Sequence, residues 1–268
     1  MNSAIPLPAS EIHLWLAFYD EIGEASLHDA YRELLDAGEL AQARRFYFAR
    51  DRLRYLVSRA LVRTVLSRYA PIPAADWIFS TNCYGRPEIA NAEMRASGLT
   101  FNLSHTHSLI VLGVARSRAL GVDVENIQGR EVSLDLAERY FALPEVASLA
   151  RVAPACLQFR FFEYWTFKEA YIKARGMGLS LPLDRFAFHY PDDRTVEIAV
   201  GEVADDAERW QFWQFRPKPE YLVALCVERS GGPSPDVTVR RVIPLRGDEK
   251  IAPELLRTSA PANNRRRQ

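Results

Sequence analysis

Residues 107–116 read HSLIVLGVAR and residues 220–229 read EYLVALCVER. Both are unbroken apolar runs rich in Val and Leu, bounded by polar residues, which is the pattern of a buried strand. Their likeness suggests that the chain states one structural plan twice. Each run stands at the end of a half, and the segments before it support the repeat.

In the first half, Ile12 to Phe18 (IHLWLAF) predicts a strand and Ala25 to Leu35 a helix. Ala43 to Tyr69 contains neither Gly nor Pro. Its Leu53, Leu56, Val57, Ala60, Leu61, Thr64 and Val65 recur at helical spacing, so one long amphipathic helix is expected, ended by Pro71 and Pro73. Strands are expected near Trp77 to Ser80, Phe101 to Ser104 and Leu109 to Ala115, the last two as a hairpin turning at Ser104 to Ser108. In the second half, Gln158 to Arg175 reads as a long helix stopped by Gly176 and Gly178. Strands near Arg185 to Tyr190, Glu197 to Val200, Trp210 to Arg216 and Tyr221 to Glu228 follow. The expectation is an α+β fold of two similar halves, residues 1–116 and 117–230. Residues 231–268, rich in Pro, Ser and Arg, are expected as a partly disordered tail, with a short run near Val237 to Leu245 able to add an edge strand.

Composition narrows the function classes. Lys+Arg and Asp+Glu both number 34, so no global field draws the 268-residue chain to nucleic acid or a membrane surface. Cys83, Cys156 and Cys226 are far apart and form no CxxC pair, which argues against a disulfide framework or zinc knuckle and fits a reducing cytoplasm. The start, MNSAIPLPASEIHLW, lacks the basic-then-apolar pattern of a signal peptide, and no membrane-spanning run is expected.

Four constellations carry chemistry. In Gly121-Val122-Asp123-Val124-Glu125, strand alternation puts Asp123 and Glu125 on one face. Two such carboxylates suit Mg²⁺, which takes one or two of them and completes its shell with water and phosphate oxygens; a solvated strand edge has the same pattern. In Trp165-Thr166-Phe167-Lys168-Glu169-Ala170-Tyr171-Ile172-Lys173, Glu169 and Lys173 lie one helical turn apart, a spacing shared by ordinary surface pairs. Asn102-Leu103-Ser104-His105 can aim a histidine at a phosphate or simply make a turn. Arg44, Arg45, Arg50 and Arg86 offer guanidinium forks for phosphate, or a solvated surface.

Taken in order, these residues resemble the Sfp-type 4′-phosphopantetheinyl transferases. The resemblance rests on Tyr84-Gly85-Arg86-Pro87, Phe101 to His105, Gly121 to Glu125, and Trp165 to Lys173 followed by Gly176-Met177-Gly178-Leu179, with Arg45 to Asp51 similar to the family's upstream helix. It covers roughly residues 10 to 230, and the W-x-x-K-E-A form is nearer that subgroup than the one reading F-x-x-K-E-S. It implies a pseudo-twofold fold with coenzyme A between the halves. It further implies Mg²⁺ among Asp123, Glu125 and Glu169, with Lys173 on the pyrophosphate. Arg45, Arg86 and His105 would hold the 3′-phosphate end with Ser104 nearby, and Glu145 is a candidate helper.

The implied reaction is attack of a serine of an apo acyl or peptidyl carrier protein on the β-phosphorus of coenzyme A, with Glu169 as base and 3′,5′-ADP leaving. Two rivals use the same residues: a Mg²⁺-dependent phosphohydrolase, and a non-catalytic coenzyme A binding module, which has no need of three acids. Two fused halves suit a monomer.

Overall fold

The computed structural model describes residues 5–201 and 205–259. The chain opens with β1 (Glu11–Phe18), then α1 (Ala25–Leu34), α2 (Ala37–Arg45) and α3 (Ala49–Leu66). A small hairpin, β2 (Phe79–Thr81) and β3 (Pro87–Ile89), leads to β4 (Leu99–His105) and β5 (Leu109–Arg116). Next come β6 (Leu120–Asn126), α4 (Leu134–Tyr140), α5 (Leu143–Leu149) and the long α6 (Pro154–Arg175). A second small hairpin, β7 (Ala187–His189) and β8 (Glu197–Ala199), precedes β9 (Trp210–Arg216) and β10 (Tyr221–Glu228). The chain then adds β11 (Asp236–Ile243), β12 (Gly247–Ile251) and β13 (Glu254–Thr258).

The repeat is visible in the strand order. One sheet runs β12-β11-β1-β5-β4 and the other β13-β9-β10-β6. The trio β1-β5-β4 therefore corresponds to β6-β10-β9, with a long helix and a two-stranded hairpin inserted at the same place in each.

Four layers result. On β5, Ile110, Leu112 and Val114 face a core shared with α3, while Leu109, Val111 and Ala115 face a core between the sheets. On β10, Leu222, Ala224 and Cys226 pack toward α6, while Val223, Leu225 and Val227 join that same inter-sheet core. A strand covered on both faces has no place for polar alternation, so both runs quoted at the outset are continuously apolar.

Two expectations are revised. The stretch 43–69 is not one helix: Phe46 and Phe48 are extended, and α2 ends at Arg45. The cause is tertiary. Arg63 is fully buried and binds Glu39 Oε2 at 2.8 Å and the Trp77 carbonyl at 2.9 Å. In a straight helix residues 39 and 63 would stand about 36 Å apart; the chain must fold back for the pair to meet. The expected mobile tail is also structured over much of its length. β11 lies parallel to β1, from Glu11↔Asp236 to Leu16↔Arg241, and β13 pairs with β9 in the other sheet. Arg257 on β13 reaches Glu163 of α6 at 2.9 Å, both buried. This segment alternates charged and apolar residues because it forms sheet edges, and that alternation reads as polar sequence. Residues 260–268 lie outside the described residues. Among the described residues, no helix is long and apolar enough to cross a membrane.

Candidate active site

The site forms where the two sheets meet edge to edge and α6 crosses β6. Close approach is built in at Gly121. A Cβ there would lie 2.1 Å from the Ala170 carbonyl oxygen and 2.3 Å from the Ala174 nitrogen. Only glycine lets the helix backbone rest on the strand. One turn of α6 then hangs over Asp123, and it is the turn that carries Glu169 and Lys173.

Lys173 Nζ donates to Asp123 Oδ1 at 2.6 Å and to Ser104 Oγ at 2.8 Å, and Ser104 Oγ donates to Asp123 Oδ1 at 2.9 Å. Asp123 is 5% exposed, and its second oxygen, Oδ2, is buried with no hydrogen-bond partner. Glu125 is pushed up to about 7, first by burial and then by the Asp123 anion, against the pull of Arg130, Lys173 and Trp165. Glu169 is pushed up by burial and again by Asp123, with Lys173 opposing. Asp123 thus acts on both Glu125 and Glu169, and Lys173 opposes it at each. Among the described residues, no group of three His, Cys, Asp or Glu side chains is arranged to hold a metal ion as it stands.

His105 sits at the exposed end of β4. Its imidazole is held below its ordinary value by desolvation and next by the charge of Arg54. Arg54, on α3, also pairs with Asp51 at 3.1 Å. The sequence reading missed this arginine. It named Arg44, Arg45 and Arg50 at the start of the expected helix and passed over Arg54, which lies within α3. Arg45 instead is exposed at the end of α2, where its guanidinium meets Gln42 one turn back; the structure gives it no contact with His105 or the acids.

Arg86 is placed otherwise than expected. Its guanidinium donates to the carbonyls of Lys173 at 3.0 Å and Leu120 at 3.2 Å, with longer contacts to Ala174 and Phe101. It closes the C-terminal end of α6, where carbonyls lack helical partners, and ties α6 to β4 and β6. These contacts give it the role of a fastener between the helix end and the two strands. Gly176, left-handed at φ 67°, ends the helix against it. Glu145 is fully buried and pairs with Lys168 at 2.7 Å in the core against α6.

Comparison with known proteins gives this geometry its context. Residues 24–117 match a family model described as 4′-phosphopantetheinyl transferase, N-terminal, and residues 119–226 one described as 4′-phosphopantetheinyl transferase superfamily. The chain is 35% identical to the 4′-phosphopantetheinyl transferase HetI of Nostoc sp. over 66% of this chain and 73% of the relative. It is 31% identical to 4′-phosphopantetheinyl transferase ffp of Bacillus subtilis over 79% of this chain and 89% of the relative. It is 30% identical to Sfp of Bacillus subtilis strain 168 over 79% and 90%. With both halves matched in order and the likeness spanning most of each relative, the chain belongs to the 4′-phosphopantetheinyl transferases.

Proposed function

We propose that this transferase moves phosphopantetheine from coenzyme A to a serine of an apo acyl or peptidyl carrier protein at the Asp123–Lys173–Ser104 cluster, with Mg²⁺ held by Asp123, Glu125 and Glu169. The observation that carries this reading is the buried, unpartnered Oδ2 of Asp123 beside two carboxylates whose charge its own charge disfavours. A buried acceptor of this kind is costly unless something binds it. All donors of the set are oxygens, which suits Mg²⁺, whose coordination leaves room for phosphate oxygens and water. When bound, the ion supplies positive charge where the pyrophosphate accumulates negative charge.

The chain's own residues do the rest. Lys173, a compact point charge held at the cluster by Ser104 and Asp123, stabilises the leaving 3′,5′-ADP electrostatically. The serine oxygen forms its bond to the β-phosphorus as the bond to the departing phosphate breaks. Its proton goes to Glu169, directly or through a water. His105 and Arg54 mark the end at which the 3′-phosphate binds, with Ser104 between it and the acids. Arg86 supports that end from behind by fixing α6. The two family models divide between residues 117 and 119, which supports reading 1–116 and 117–230 as the two halves. Because both halves are in one chain, a monomer contains the whole cleft.

The test is mass spectrometry of an apo carrier protein incubated with this chain, coenzyme A and Mg²⁺. A gain of one phosphopantetheine, lost on chelation and in Asp123→Asn, is expected. Free phosphopantetheine with an unmodified carrier would favour the hydrolase reading, and full activity after chelation would remove the metal.

A further inference from the structure

β4 and β6 are the edge strands of the two different sheets, yet they lie side by side. They make no ladder of backbone hydrogen bonds. Side chains take its place. The Val122 N–H donates to Asn102 Oδ1 at 2.8 Å, the Val124 N–H to Ser104 Oγ at 3.3 Å, and the Asn126 N–H to Thr106 Oγ1 at 3.1 Å. Donor and acceptor differ by 20 residues in all three bonds. The two segments therefore run parallel and in step, and every second N–H of the β6 edge is satisfied by every second side chain of the β4 segment. The two residues of β6 that lie between these donors are Asp123 and Glu125.

We propose that Asn102 and Thr106 are positioning residues for the transfer reaction. They fix the height of β6 against β4, and so hold Asp123 and Glu125 level with Ser104 and with Lys173. Neither needs to touch coenzyme A to do so. Asn102 is 7% exposed and grips β6 before Asp123; Thr106, just past β4, grips it after Glu125. Ser104, the middle rung, also bonds Asp123 and Lys173 directly, so the same row that sets the strand meets the reacting groups. Without the outer rungs, β6 keeps its pairing with β10 but loses its register against the other half. Displacements near 1 Å are enough to slow a reaction about 100-fold. A group that only sets geometry changes turnover more than substrate binding.

This inference rests on Asp123 and Glu125 being the working acids, so Asp123→Asn is measured beside the test variants. Thr106→Val and Asn102→Leu keep approximate shape and remove the acceptor; Thr106→Ser keeps it. Steady-state transfer to an apo carrier protein should show kcat lowered about 10- to 100-fold in Thr106→Val and Asn102→Leu, KM for coenzyme A within about threefold, and Thr106→Ser within about threefold of wild type. Melting curves identify any variant that fails to fold; if Asn102→Leu does, Thr106→Val decides alone. Wild-type kcat in Thr106→Val, or an equal loss in Thr106→Ser, or a loss confined to KM, overturns the inference while an inactive Asp123→Asn leaves the site assignment standing. A fully active Asp123→Asn overturns both.

Discussion

Lys168 and Glu145 form a buried ion pair in the second half's core, and the cost of breaking it can be worked from their contacts. Both side chains are fully buried. Lys168 Nζ donates to Glu145 Oε2 and to the carbonyls of Leu183 and Phe186, each at 2.7 Å, and lies 4.4 Å from the centre of the Phe186 ring. Glu145 also accepts the N–H of Ala142 at 3.0 Å and of Phe188 at 2.8 Å. The pair thus joins α5, α6 and the approach to β7. Lys168→Met fills similar volume but leaves two carbonyls without that donor and a carboxylate without its cation. Removing one partner of such a pair costs about 3–5 kcal/mol, and for a chain of this size each kcal/mol is about 2–4 °C, so Tm should fall by roughly 6–20 °C. Glu145→Gln keeps the shape and should cost about 1.5–3 kcal/mol. The double variant should cost less than the sum, by about 0.5–3 kcal/mol, since each partner's removal spares the other its unpaired charge. Burial already pushes the Glu145 carboxyl up. Without Lys168 that rise is larger, so a proton bound in the folded state offsets the damage at low pH and is lost as pH rises. The Lys168→Met penalty should therefore be smaller near pH 4 than at neutrality. Urea unfolding followed by far-UV circular dichroism measures all four proteins; strict additivity, or a penalty that grows on acidification, refutes the reasoning.

Three further outcomes are expected. Gly121→Ala should destabilise by about 1–3 kcal/mol or more, because the new methyl group meets backbone that cannot turn aside, and transfer should fall with it as α6 lifts from Asp123; a wild-type melt and rate would show that the contact relaxes freely. Truncation after Gly231 removes β11, β12 and β13 and should abolish the cooperative unfolding transition, so an unchanged calorimetric trace would count against their structural role. His13 is buried between Tyr69 and Glu11, and burial holds its imidazole below the ordinary value. Its contribution to stability is present above the unfolded pKa, about 6.5, and is lost as pH falls through the folded value. His13→Gln should flatten the Tm-against-pH curve between pH 5 and 7, and an unaltered slope would assign the dependence to other groups.

What the sequence disclosed depended on whether a residue's fate was set locally. The continuous apolar runs at Leu109 to Ala115 and Tyr221 to Glu228 announce strands because both faces are covered, and β5 and β10 form there. Gly176 stops α6 for a reason visible in the residue itself. The break between α2 and α3 was hidden, because it is enforced by Glu39 meeting Arg63 and by no Gly or Pro. Helices α4 and α5, between Leu134 and Leu149, carried no periodic signal long enough to announce them. At the site, the order of the motifs grouped Asp123, Glu125, Glu169 and Lys173 but put Ser104 at the 3′-phosphate end, and the bonds of Ser104 to Asp123 and Lys173 were not foreseen. It did not disclose Arg54, whose charge acts on His105 from α3. Nor did it disclose that Arg86 serves carbonyls, since a guanidinium fork fits a helix end as well as it fits an anion.

The parallel pairing of β1 with β11 has a consequence for how the protein is made. Glu11 and its partner Asp236 are 225 positions apart, and β1 is made long before β11. Until β11 has been made, β1 carries a bare hydrogen-bonding edge, and closure of a loop of 225 residues must precede the contact that covers it. Folding is therefore expected to finish slowly, with an intermediate whose exposed edge can recruit a strand from another nascent chain. Expression yield should thus respond to translation rate and to chaperone supply more than the stability of the finished enzyme would suggest.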